Sequence, residues 1–199
     1  MEQVRKYIDT HREELVELVR ALVRHPTVSP PARNTEAAQE VVRQYLHDLG
    51  FSTDVWEVYP GDPNVVGVRK GDPAYRSLLL NGHIDVAEVG DDAGWTYPPF
   101  DVTEQDGLLY GRGTADMKGG LATALFALKA LQACGIELHG EVVFESVIGE
   151  EAGEAGTYDC IKRGYRADLA LVPDTSRLCI EGQGGVITGW ITVKSPQTF

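Results

Sequence analysis

Carboxylate and imidazole side chains follow three apolar segments of the chain at the points where predicted strands end. His83 and Asp85 follow SLLL, Glu150 and Glu151 follow EVVFESVI, and Asp174 follows DLALV. Because open α/β sheets bind ligands beyond the carboxyl ends of their strands, we expect these side chains to converge. Groups of these types bind metal ions and transfer protons. The pattern therefore predicts a metal-binding or catalytic site at one end of a sheet.

A further carboxylate, Asp116, joins this site if the segment GRGTADMKGG carries it to the start of the apolar helix that follows. So many ionised carboxylates repel one another unless a cation neutralises them. One imidazole with several carboxylates and no thiolate suits zinc, with cobalt and manganese as alternatives, and suits calcium less well. Two ions that share one Asp would use more of the acids than a single ion could.

The spacing within two of the motifs suggests separate tasks for neighbouring residues. Asp85 lies two residues beyond His83, so in an extended segment both side chains leave the same face, and Asp85 is placed to orient the imidazole. Glu150 and Glu151 point in different directions if extended. One of these two can then bind metal while the other acts as a general base on water.

Composition and charge exclude several classes of function. The chain has 199 residues, 43% of them hydrophobic, which is enough for one core, and a formal net charge of −12. Such a charge repels phosphate backbones and anionic lipid surfaces, so we expect no nucleic-acid partner and no membrane partner. No apolar run approaches a membrane span, the charged N-terminus does not resemble a signal peptide, and the three cysteines lack CxxC spacing. We therefore expect a cytoplasmic protein.

The remaining pattern describes the elements that must position these groups. Apolar residues recur at helical spacing from Val4 to Val23, then from a cap at Asn34 or Thr35 to Gly50, and again over 118–134. A short helix is expected near 157–163, and β-rich runs lie between the helices, with SLLL and DLALV typical of buried strands. The alternation predicts the α/β class: a mixed, largely parallel sheet flanked by helices on both faces.

Four motifs, in order and spacing, resemble a metal-dependent deacylase and carboxypeptidase family: NGHIDV, GRGTADMKGG, GEEAGEAGT and ADLALVPD. That family includes acetylornithine deacetylase, succinyl-diaminopimelate desuccinylase, aminoacylase and glutamate carboxypeptidase. The resemblance implies a zinc-exopeptidase-like catalytic domain with two zinc ions and a cis peptide bond after Asp116. It also implies a role for each site residue: His83 and Asp174 bind one ion, Asp116 bridges both, Glu151 binds the other, Glu150 is the general base, and Asp85 holds His83.

The resemblance also implies a domain organisation. Members of the family insert a smaller lid domain near the end of this sequence and then return to the catalytic domain, which supplies a final histidine to the second metal. We therefore expect 1–185 to be the N-terminal part of the catalytic domain and 186–199 to begin the lid, which is missing or cut. Homodimerisation of the full-length protein is expected through that lid, and the chain alone should be weakly active or inactive.

Three functions stay open at this point. The first is a dinuclear metal-dependent hydrolase that cleaves the amide bond of an N-acyl amino acid, as deacetylases and desuccinylases do. The second is a metallo-carboxypeptidase or dipeptidase of the same family, with a peptide as substrate. The third belongs to another class: a metal-binding or interaction fragment without catalytic activity.

Overall fold

The computed structural model describes residues 1–30, 34–153, 155–175 and 191–194. Cys179 and the expected boundary between residues 185 and 186 lie outside the described residues. The domain division of the full protein therefore stays a prediction.

Three helices form the N-terminal part of the fold: α1 (Glu2–Thr10), α2 (Arg12–Val23) and α3 (Glu36–Asp48). The periodicity predicts one helix over the first two, but the chain bends at His11, where φ is −115° and ψ is 25°. The ring of His11 stacks on Tyr7 with 3.9 Å between centroids, and the backbone N–H and ring Nδ1 of His11 both contact the Tyr7 carbonyl oxygen. Apolar spacing alone does not show such a local break.

Five strands form the main sheet: β1 (Ser52–Tyr59), β2 (Asp62–Arg69), β3 (Leu78–His83), β6 (Val142–Val147) and β7 (Leu169–Leu171). A separate hairpin pairs β4 (Thr103–Gln105) with β5 (Leu108–Tyr110). The strand order of the main sheet is β1-β2-β6-β3-β7, with the first two pairings antiparallel and the last two parallel. The expected mixed sheet is thereby confirmed, and the parallel strands β3, β6 and β7 end at the same side.

Helices cover both faces of this sheet. On one face α2, α3 and α4 (Lys118–Ala133) bury a large core with alternate residues of the strands, such as Val65, Leu80 and Phe144. On the other face, Cys160 of α5 (Ala155–Arg163) packs in a smaller cluster that includes Val66 and Val143. Because neighbouring strand residues point to opposite faces, β6 contributes to both cores. The strands β3 and β6, whose ends carry the predicted site residues, are therefore packed between helices on both faces of the sheet.

The last strand differs from its sequence-based prediction. The segment DLALV is typical of a strand buried on both faces, yet Leu169, Ala170 and Leu171 are exposed. Among the described residues β7 pairs with β3 and lies at the edge of the sheet. Its edge position explains the exposure, which an apolar sequence does not show.

No helix in the described part of the chain is both long and apolar enough to cross a bilayer.

Candidate metal centre

The site is built around His83, the last residue of β3. Its side chain is 1% exposed, and its Nδ1 lies 2.8 Å from the backbone carbonyl oxygen of Asp85. Because a carbonyl oxygen can only accept, Nδ1 carries the proton and donates it. In the neutral ring this leaves the lone pair on Nε2, the tautomer that a metal ligand requires.

Carboxylates from three other segments surround Nε2 of His83. The distance from Nε2 is 3.0 Å to Oδ1 of Asp116, 3.7 Å to Oε2 of Glu150 and 3.9 Å to Oδ2 of Asp174. Glu151 contributes as well, since one ligand atom each of His83, Asp116 and Glu151 lie within 4.8 Å of one another. The structure thus brings together the predicted side chains from all four motifs.

The electrostatics of this cluster favour a cation. Burial and the nearby Asp116 carboxylate raise the pKa of Glu151, because both disfavour a second negative charge. Burial lowers the pKa of His83, but the Asp85 and Glu150 carboxylates outweigh it and raise the pKa to about 9. The carboxylates therefore attract positive charge, and a divalent ion would provide it in place of the imidazole proton. The donor set of one imidazole nitrogen and several carboxylate oxygens fits zinc, cobalt or manganese.

The start of α4 brings two of these carboxylates close together. Asp116 lies two residues before Lys118, the first residue of α4, and the Asp116–Met117 peptide bond is cis, as the family resemblance implies. Gly120, in the first turn of α4, lies against the segment that leaves β7: a Cβ at this position would come within 1.9 Å of the Pro173 carbonyl oxygen. Since only glycine permits this approach, Gly120 lets Asp174 reach the cluster.

The contacts of Asp85 differ from the expectation that its side chain alone orients the imidazole of His83. Its side chain is fully buried, and Oδ1 lies 3.6 Å from Nδ1 of His83, beyond hydrogen-bond distance. The carboxylate instead accepts the backbone N–H groups of Glu150, at 3.4 Å, and Glu151, at 3.2 Å. Asp85 therefore contacts the imidazole through its carbonyl oxygen and holds the glutamate turn with its carboxylate.

A buried lysine next to the site was not singled out by sequence reasoning. Lys118 is fully buried, and its Nζ donates a hydrogen bond to the carbonyl oxygen of His25 at 2.6 Å. Burial lowers its pKa to about 7, although the negative charge of Asp85 acts in the opposite direction. The signal that could have identified it is a charged residue that opens a mostly apolar helix.

Comparison with known proteins covers the segment that carries these motifs. The family model Peptidase_M20, described as peptidase family M20/M25/M40, matches residues 79–192. The N-formyl-4-amino-5-aminomethyl-2-methylpyrimidine deformylase of Halalkalibacterium halodurans is 58% identical over 201 residues, which cover 100% of this chain and 47% of that protein. The deformylase of the same name from Bacillus subtilis is 56% identical over 198 residues, which cover 98% of this chain and 46% of that protein. The chain thus spans about half the length of these relatives.

A solved structure has the same fold at lower sequence identity. The crystal structure of human carnosine dipeptidase 1 superposes with a TM-score of 0.74 and 27% identity, covering 86% of this chain and 40% of the dipeptidase chain. The range 79–192 that the family model matches begins before His83 and ends after Asp174. All four motifs therefore lie within it.

Proposed function

Because this chain belongs to the peptidase family M20/M25/M40, we propose that it carries the catalytic centre of a dinuclear metal-dependent hydrolase that cleaves the formyl amide of an N-formyl aminomethylpyrimidine. The identities of 58% and 56% to two deformylases of such a compound support this substrate. Because of these identities, the proposed substrate differs from the N-acyl amino acid that the motifs alone lead us to expect.

One observation carries the proposal: three sequence-distant segments place carboxylates around a single imidazole nitrogen of a fourth segment. Carboxylates of Asp116, Glu150 and Asp174 all lie within 3.9 Å of Nε2 of His83. The side chains of Asp116 and Glu150 are 49% and 36% exposed, so a substrate can reach them.

The chain offers ligands for two ions. His83 and Asp174 would hold one ion, Glu151 the other, and Asp116 both. When bound, zinc supplies Lewis acidity for the amide carbonyl and lowers the pKa of water. The protonated Nδ1 of His83, held by the Asp85 carbonyl oxygen, keeps Nε2 directed at the carboxylates of Asp116, Glu150 and Asp174.

Glu150 is proposed as the group that moves the proton. Its Oε2 accepts a proton from the attacking water and returns it to the amide nitrogen as the carbon–nitrogen bond breaks. The hydroxyl group of the water ends on the formyl carbon, so formate and a primary amine are released. The hydrogen bond that the backbone N–H of Glu150 donates to the Asp85 carboxylate fixes the backbone from which this side chain projects.

A second candidate substrate is an N-acyl amino acid or a dipeptide, as in the first two functions that the motifs leave open. The structural likeness to human carnosine dipeptidase 1 favours it, because that match includes 86% of this chain. Both candidates use the same chemistry at the amide bond. They differ in the groups that flank it.

The deciding experiment is an assay of the purified protein in the full length that its gene encodes, loaded in turn with zinc, cobalt and manganese. Formate release from the N-formyl aminomethylpyrimidine is expected to exceed the hydrolysis of N-formyl amino acids, N-acetyl amino acids and dipeptides. Preference for an amino-acid substrate would favour the second candidate. Absence of hydrolysis with every metal and substrate would support a metal-binding fragment without catalytic activity.

Three further properties are part of the proposal. Zinc is proposed as the physiological metal, the full-length protein is proposed to be a homodimer through its lid, and the cytoplasm is proposed as its compartment. The net charge of −12 supports the absence of nucleic-acid and membrane partners. Metal analysis and light scattering on the purified protein test the first two directly.

A further inference from the structure

The turn that carries Glu150 and Glu151 closes on itself through its two ends. It leaves the sheet after β6 at Ile148 and runs into α5, where the N–H of Gly156, the second residue of that helix, donates to the Ile148 carbonyl oxygen at 2.9 Å. A Cβ at Gly156 would lie 2.5 Å from that oxygen and 2.7 Å from Oδ1 of Asn64. We call this junction of Ile148 and Gly156 the neck of the glutamate turn.

Asn64 of β2 joins both sides of the neck with one side chain. It is fully buried, its Oδ1 accepts the N–H of Ile148 at 3.1 Å, and its Nδ2 donates to the carbonyl oxygen of Gly156 at 2.9 Å. An amide is suited to this position because it donates and accepts at the same time. Alanine and leucine can do neither.

We propose that Asn64 is a positioning residue for the metal centre: by closing the neck it sets where Glu151 meets the metal and where Glu150 meets water. This inference rests on the proposed function of the site. Asp85 holds the middle of the same turn through the N–H groups of Glu150 and Glu151. The neck and the middle are thus two separate anchors, and loss of the neck anchor leaves the turn able to rotate about the other.

A merely structural role for Asn64 makes a different prediction. Val66, two residues further along β2, is also fully buried and packs on the same side of the sheet with Val143, Val147 and Cys160. Its truncation removes buried contacts next to α5 without touching the neck bonds. If Asn64 only stabilises the fold, then Asn64 and Val66 variants of equal stability should bind metal equally well.

The test is titration of the metal-free chain with cobalt(II) chloride, followed by the visible absorption of the bound ion and by thermal unfolding. The proposed site of Glu151 has only Glu151 and Asp116 as ligands from this chain, so it should bind cobalt more weakly than the site of His83, Asp116 and Asp174. In Asn64→Ala and in the similarly shaped Asn64→Leu, this weaker site is expected to lose affinity by about 10-fold or more. The intensity of its absorption bands should change as well. Val66→Ala should keep the unaltered affinity and spectrum although it unfolds at a lower temperature. Unaltered cobalt binding in both Asn64 variants would overturn the proposal.

Gly156→Ala opens the neck from the opposite side while Asn64 remains, and it should weaken the same cobalt site. If the variants do not fold, hydrogen exchange in the unaltered chain tests the same inference. Cobalt should slow exchange of the Ile148 and Gly156 amide hydrogens, and unchanged exchange at both would contradict the inference. If the unaltered chain binds no cobalt, the proposed metal centre itself is wrong. Normal cobalt binding with no effect of the neck variants rejects only the role of Asn64.

Discussion

Substitution of Asp85 tests the link between the imidazole and the glutamate turn. Its buried carboxylate accepts the N–H groups of Glu150 and Glu151, whereas its backbone carbonyl oxygen serves His83. Asp85→Ala removes both side-chain acceptors, and Asp85→Asn retains the shape with one acceptor oxygen. Since the carbonyl of residue 85 survives in both variants, the comparison isolates the carboxylate.

The expected magnitude follows from the two bonds. A hydrogen bond to a charged group contributes about 1.5 to 3 kcal/mol, and distances of 3.4 Å and 3.2 Å place these two at the low end. Asp85→Ala should therefore lower the free energy of unfolding by about 3 kcal/mol. Asp85→Asn should cost roughly half as much, because one N–H group keeps a partner.

Urea unfolding followed by tryptophan fluorescence measures these differences, and cobalt titration measures the metal site in the same samples. Metal affinity should fall by about 10- to 100-fold in Asp85→Ala, as is typical when a group that supports metal ligands is lost. Asp168→Asn is the matched control, because Asp168 also accepts two hydrogen bonds, from the N–H and Oγ of Ser77, but on the exposed surface. Equal losses of stability in the Asp85 and Asp168 variants, or unchanged cobalt affinity in Asp85→Ala, would refute the reasoning.

Three other predictions address the base, the buried lysine and the metal. In the full-length protein, Glu150→Gln should lower kcat by about 10²-fold or more without changing zinc content by elemental analysis, and full turnover would remove Glu150 as the base. Folding lowers the pKa of Lys118 from 10.5 to about 7, so its charge costs stability fully below pH 7 and progressively less up to pH 10.5. The unfolding free energy of the unaltered chain relative to Lys118→Met should thus rise across that window in urea titrations, and a constant difference would contradict the burial argument. Zinc at about 100 times its dissociation constant should stabilise the chain by about 2.7 kcal/mol, measured by urea unfolding, and an equal gain in Asp174→Asn would exclude Asp174 as a ligand.

The ends of three strands, and the side chains that meet there, could be predicted from the local sequence pattern. SLLL, EVVFESVI and DLALV correspond to β3, β6 and β7, and the polar residues that follow them do meet. Parallel strands end on the same side of a sheet, so short apolar runs followed by acids already contain this information. The convergence of these side chains could therefore be predicted from sequence, whereas their roles and the identity of the cation stay proposals.

Features that depend on partners distant in sequence were not accessible in the same way. Asn64 is separated from Gly156 by 92 residues and Lys118 from His25 by 93, and neither pair forms any periodic pattern. The split of the first predicted helix at His11 depends on one side chain stacking on the preceding turn. The exposure of β7 depends on its position in the strand order.

The sequence by itself determined the chemistry of the centre, because residue type sets donor atoms and charge, and the spacing of apolar runs sets which residues leave the sheet together. Only the tertiary structure decided which atom does what. It showed that the Asp85 carboxylate also holds the glutamate turn, and that Gly120 admits Pro173 so that Asp174 can approach. These outcomes depend on differences of a few tenths of an ångström in the distances between distant segments, which hydrogen-bond geometry and close packing set only once the chain has folded.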